Sequence, residues 1–106
     1  LVALCREAHI PIVEDNPYGL LRFEGEREPT LRSMDPHNVI YLGTVSNVFS
    51  PGVRVGWAVA EPGVLQRLVL AKEAADLCGS QFTMLVTERY FDGERWRRNL
   101  ETLVGT

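Results

Sequence analysis

Between Tyr41 and Trp57 the chain reads YLGTVSNVFSPGVRVGW, a stretch whose residue types suit the holding of an anion. An apolar run of strand character, Val39 to Leu42, empties into Gly43, Thr44, Ser46 and Ser50. Pro51 and Gly52 then turn the chain, and a strand is expected to resume over Val53 to Val59 with one charge, Arg54. Hydroxyls and free backbone N–H groups at a strand end, with an arginine returning close by, suit a phosphate. Gly, Ser and Thr also serve turns for conformational reasons alone, so both readings stand on these residues.

The same stretch resembles the cofactor-lysine segment of fold-type I pyridoxal 5'-phosphate (PLP) aminotransferases of class I/II. It is most similar to the branch that holds 2-aminoadipate aminotransferases and the aminotransferase-like halves of MocR regulators. That branch reads Y-L-G-T-x-S-K-x-x-x-P-G-x-R-x-G-W, and every fixed position is present but one. The lysine that forms the Schiff base with PLP is replaced by Asn47.

PLP chemistry requires an acid beside the pyridine nitrogen, so that the ring acts as an electron sink. The resemblance gives that role to Asp15, three residues before Tyr18 in a D-x-x-Y arrangement. Read without it, Asp15 is a loop or capping aspartate. Glu14 is expected on the opposite face of the strand, which argues against an acid pair. Tyr18 matches the donor to the cofactor's phenolic oxygen; otherwise it is an ordinary half-buried tyrosine. Thr44 and Ser46 match hydroxyls of a phosphate cup, and Arg54 matches the arginine whose planar fork grips the phosphate. The alternative for Arg54 is a strand-edge ion pair.

The remaining requirement is an amine that holds PLP, passes it to the substrate and shuttles a proton. Asn47 lacks a nucleophilic amine and a useful titration, so no catalytic residue is assigned, and the site set is Asp15, Tyr18, Thr44, Ser46, Asn47 and Arg54. Asn47 is left with hydrogen bonding to the cofactor, and covalent attachment is not expected. Lys72 is the only lysine of the chain, and it is read as a solvated helix position far from that role.

Helix and strand alternate through the first half. Leu1, Leu4, Cys5 and Ala8 recur at helical spacing up to Pro11, and Ile12 and Val13 begin a short buried strand. Gly19 to Pro36 is a charged connection, with a brief edge strand at Leu20, Leu21 and Phe23 and a helical turn over Thr30 to Ser33. Val39–Thr44 and Val53–Val59 are too close for a helical crossover and are expected antiparallel. Pro62 suits a helix start, with Val64, Leu65, Leu68, Val69 and Ala75 inward as far as Leu77. Ser80 is a candidate N-cap for a helix with Phe82, Leu85, Val86 and Tyr90 inward, and Asp92 for another carrying Trp96, Leu100 and Leu103. The fold class is α/β. The resemblance implies part of a mainly parallel sheet with one antiparallel strand, from the large domain of a PLP-dependent transferase.

The chain's 106 residues allow one small core. A net charge of −3 and the absence of a long basic run give no nucleic-acid footprint. No apolar stretch approaches membrane-spanning length, and no signal-peptide pattern opens the chain. Cys5 and Cys78 are too isolated for a disulfide framework and are read as buried free thiols in a reducing cytosol. His9 and His37 lack metal-ligand spacing, and no metal is expected.

Starting in mid-helix and stopping inside another, residues 1–106 are expected to be a fragment, an incomplete PLP-binding large domain. Uncovered sheet edges and one bare helix face are then expected. The resemblance implies transamination between an amino acid and a 2-oxo acid in a cytoplasmic homodimer, inactive in this chain because of Asn47 and the missing ends. Two alternatives are a ligand-sensing domain of a MocR-type regulator and a degenerate remnant, since Lys and Asn codons differ by one base.

Overall fold

The computed structural model describes residues 1–26 and 28–105, so Arg27 of the charged connection and Thr106 at the end lie outside it. Three strands form a mixed sheet in the order β1 (Ile12–Asp15), β2 (Val39–Thr44), β3 (Gly56–Val59). β1 and β2 run parallel, with Ile12 opposite Val39 and Asp15 opposite Leu42. β3 returns antiparallel, as the short β2–β3 connection requires. The α/β expectation therefore holds, and β2 has the bounds read from sequence.

The chain divides into two compact units. The first contains Leu1–Asn16, Glu28–Gly43 and Trp57–Cys78, and so most of the sheet. Its helix α1 (Val2–Glu7) stops in a Schellman arrangement. Ile10 N–H donates to the Cys5 carbonyl and His9 N–H to that of Arg6, with His9 in the left-handed region at φ 55°. Helix α2 (Leu31–Met34) is a single turn held at its start from two directions. Thr30 caps Ser33 N–H, and the Glu14 carboxylate accepts from Leu31 N–H and Arg32 N–H at 3.0 Å each. Glu14 is thus committed to structure and points away from the face that carries Asp15.

Asp35 closes α2 and is 4% exposed. It accepts from Arg6 Nε at 2.9 Å and from the backbone N–H groups of His37 and Asn38. The Arg6 hydrogen bond, above all, holds its carboxyl below the ordinary value despite burial, with the Arg6 charge and the two backbone donors adding to it. A depressed folded pKa stabilises the native state above the ordinary carboxylate range, and that contribution is lost as pH falls through the folded value. Asp35→Asn in the full-length protein is expected to flatten the acid limb of stability; urea melts at decreasing pH measure it.

Gly43 meets the indole of Trp57 so closely that a Cβ would overlap the ring, lying 2.8 Å from Nε1 and nearer still to Cε2 and Cζ2. Only glycine admits this approach. Helix α3 (Pro62–Asp76) starts at Pro62, as expected. It ends at Leu77, whose φ of 62° and ψ of −57° form a positive-φ γ-turn closed by Cys78 N–H on the Asp76 carbonyl.

The second unit contains the stretch beginning at Pro17, then Thr44–Gly56, and the residues from Gly79 onward. Helix α4 (Gln81–Phe91) is capped by Ser80, which accepts from Thr83 N–H. Tyr90 stacks on Phe49 with ring centroids 4.1 Å apart, donates its hydroxyl to the Val48 carbonyl and accepts from Asn99. Phe91 meets Tyr90 edge-on and reaches Trp96 of helix α5 (Arg95–Gly105). This cluster anchors the chain that follows Asn47.

Several local expectations are overturned. Val53 closes a 3-10 turn (Pro51–Val53) and Arg54 caps it in the left-handed region, so β3 begins only at Gly56. The turn wins because Ser50 Oγ accepts from Gly52 N–H and Pro51 presets the first φ. No strand forms at Leu20, Leu21 and Phe23. Asp92 ends α4 instead of opening α5. Val13, Leu68, Val69, Phe82, Leu85 and Val86 are exposed, not inward, and α3 buries no residue. Cys78 is exposed and Cys5 half-buried, correcting the buried-thiol reading. Uncovered sheet and helix faces were the expectation for a partial sheet, and these exposures match it.

Candidate functional site

β2 leaves the sheet at Thr44, and the next three residues curl back because the Thr44 hydroxyl organises them. Thr44 Oγ1 accepts from Ser46 N–H at 3.1 Å and donates to the Val55 carbonyl at 3.2 Å. The Ser46 hydroxyl lies 2.9 Å from Thr44 Oγ1. With Thr44's proton on Val55, Ser46 donates to Thr44 or, by rotating its hydroxyl, to a ligand. Val45 and Val48 are buried on either side of this turn, which fixes Ser46 and Asn47 between two anchors.

Asn47 is half-buried, and its Nδ2 donates to the Pro17 carbonyl at 3.0 Å. The amide therefore ties the loop after β2 to the loop that carries Tyr18. Tyr18 itself is 65% exposed. Arg54 is exposed, with φ 54° and ψ 40°, and one guanidinium nitrogen donates to the Pro51 carbonyl at 3.2 Å. A non-glycine residue in this region is held against a steric cost.

Tyr18, Thr44, Ser46, Asn47 and Arg54 thus share the second unit, while Asp15 belongs to the first. Asp15 stands exposed at the carboxyl end of β1, opposite Leu42. The next residue, Asn16, extends the ladder by donating to the Leu42 carbonyl. Lys72 is exposed on α3 and bound to Asp76 at 2.5 and 2.6 Å, an ordinary (i, i+4) surface pair. Among the described residues no group of three His, Cys, Asp or Glu side chains is placed to hold a metal ion. His9 occupies a helix end, and His37 pairs with Glu61.

Sequence reasoning missed the Pro17 and Val55 carbonyls. Both act through the backbone, and no side-chain signal marks them. In chemical terms the second unit offers two hydroxyls, a guanidinium and a carboxamide, a donor set suited to an anionic ligand and devoid of a nucleophilic amine.

No family model matches the chain. Among curated proteins it is 42% identical over 94 residues to aromatic-amino-acid aminotransferase 1 of Thermococcus litoralis, which covers 88% of the chain and 22% of that protein. It is 43% identical over 108 residues to 2-aminoadipate transaminase of Thermus thermophilus, covering 92% of the chain and 27% of that protein. An uncharacterised HTH-type transcriptional regulator of Bacillus subtilis is 38% identical over 77 residues, 72% of the chain and 16% of the regulator. Among solved structures, Pyrococcus horikoshii kynurenine aminotransferase, in complex with PMP (pyridoxamine phosphate), superposes with a TM-score of 0.93 at 36% identity. That match spans 98% of this chain and 26% of the other. The chain spans about a quarter of the length of these aminotransferases, and it belongs, as a segment, to the PLP-dependent aminotransferase family.

Proposed function

We propose that this segment is part of the cofactor-binding large domain of an aminotransferase-like protein, one that holds PLP without a covalent bond. The observation that carries the reading is the side chain of Asn47. It stands at the position of the family's lysine and is engaged as an amide on the Pro17 carbonyl. Thr44, Ser46 and Arg54 suit the phosphate, because two hydroxyl donors and a guanidinium match a dianion. Tyr18 for the phenolic oxygen and Asp15 for the pyridine nitrogen are carried over from the family. Bound, the cofactor supplies the electron sink on which amino transfer between an amino acid and a 2-oxo acid depends. Asp15 would keep the ring nitrogen protonated, and Asn47 can neither attack a carbonyl nor carry the proton that the lysine moves. The proposal includes a cytoplasmic homodimer, again from the family.

The full-length protein is to be titrated with PLP by fluorescence and then treated with borohydride. Saturable binding, no phosphopyridoxyl group on residue 47 and no transamination are expected. Transamination by the protein with Asn47 in place would refute the reading. A second reading is favoured by the regulator among the relatives, namely an aminotransferase-like sensor joined to a DNA-binding domain. Specific DNA binding by the full-length protein that shifts on adding PLP or an amine would select it.

A further inference from the structure

Asn47 differs from lysine in more than nucleophilicity. An ammonium only donates hydrogen bonds, whereas a carboxamide has one donor end and one acceptor end. Which end faces the ligand is decided by Pro17. Its carbonyl can only accept, so it takes Nδ2 at 3.0 Å and turns Oδ1 the other way. Among the described residues no hydrogen-bond donor reaches Oδ1, and no buried side-chain nitrogen or oxygen lacks a partner. The oxygen is therefore open to solvent or to a ligand.

We infer that the outward Asn47 oxygen makes this site select the aminated form of the cofactor, pyridoxamine 5'-phosphate or an amine adduct, over the aldehyde. The inference rests on the cofactor reading above, with residue 47 beside the carbon that bears the aldehyde or amine. The phosphate grip of Thr44, Ser46 and Arg54 is common to both forms and does not discriminate. Position 47 does. An amine brings N–H donors, charged when protonated, to the Asn47 oxygen. An aldehyde oxygen brings only lone pairs, which meet lone pairs. For Nδ2 to serve the aldehyde instead, the amide must turn and leave the Pro17 carbonyl without its partner. The residue that removes covalent catalysis thereby leaves a reader of the cofactor's amination state. That suits a protein that senses amine supply without consuming it.

The test is equilibrium binding to the full-length protein of three probes: pyridoxamine 5'-phosphate, PLP, and 4-deoxypyridoxine 5'-phosphate, which has a methyl group at the discriminating carbon. The amine is expected to bind about tenfold tighter than the aldehyde, the size of one hydrogen bond made against one acceptor clash. The methyl compound should fall between them. Asn47→Ala should bring the amine-to-aldehyde ratio to about one, and the ratio, not the affinity of any single probe, is the readout. Asn47→Asp, which keeps an acceptor and loses the donor, should preserve the preference for the amine. Borohydride trapping and peptide mapping remove any PLP captured at Lys72 from the comparison. Equal or tighter binding of the aldehyde, or a ratio unmoved by Asn47→Ala, overturns the inference while the cofactor reading stands. Failure of all three probes to bind overturns the cofactor reading and the inference with it.

Discussion

Restoring lysine with Asn47→Lys in the full-length protein is expected to turn reversible PLP binding into covalent capture. Borohydride reduction should then fix one phosphopyridoxyl group per chain at position 47, whereas the native protein gives none there. The expectation follows from chemistry that no other residue of this segment is placed to supply. Lys72, the only lysine of this segment, is tied to Asp76 on an exposed face of α3. Where the carboxylate-binding residues of the family are present elsewhere in the protein, transamination should rise from background by about 10²–10⁴-fold from proton transfer alone. Peptide mass spectrometry reports the first effect and coupled turnover assays the second. A variant that binds PLP without forming the adduct would mean that position 47 does not face the cofactor, and the site assignment would fall.

Arg54 carries the second large effect, and its backbone makes a clean comparison available. Arg54→Ala removes the guanidinium and keeps a Cβ at φ 54°, so steric strain remains. Arg54→Gly removes the same charge and relieves about 1 kcal/mol of that strain. Both variants should bind PLP about ten- to a hundredfold more weakly, the range of a charge-assisted contact of about 1.5–3 kcal/mol. Thermal melts should separate them, with the glycine variant the more stable of the two. Unchanged affinity in both would leave Arg54 as the cap of the Pro51–Val53 turn, held by the Pro51 carbonyl.

The elements read best from sequence were those whose signals are local. β2 keeps its bounds because an apolar run ends at Gly43 and Thr44, and α3 starts where Pro62 stands. Ser80 caps as its residue type suggests. Glu14 and Asp15 diverge because strand side chains alternate. What failed depended on partners that sequence spacing does not display. Arg54 looked like a strand residue because Val53 and Val55 flank it, yet the Ser50–Gly52 bond closes a turn first. The inward faces assigned to α3 and α4 were read from helical periodicity, which shows that a face is apolar without showing what covers it. Phe82 is 75% exposed despite its place in such a pattern. Within the candidate site, the hydroxyls of Thr44 and Ser46 and the guanidinium of Arg54 were legible as hydrogen-bond donors, whereas the pairing of Asn47 with Pro17 was not. A backbone carbonyl thirty residues away leaves no mark in the chain's pattern.

That pairing also bears on evolutionary reversibility. A return to lysine at position 47 is a single-base change, and the new amine would replace the amide that now donates to the Pro17 carbonyl. A neutral amine can donate to that carbonyl and keep its lone pair for attack, so the contact does not by itself bar the chemistry. Recovery of covalent capture therefore needs no second adjustment in the Asn16–Tyr18 loop. The asparagine state is held by one hydrogen bond, and the path back runs through the single residue that the codon suggests.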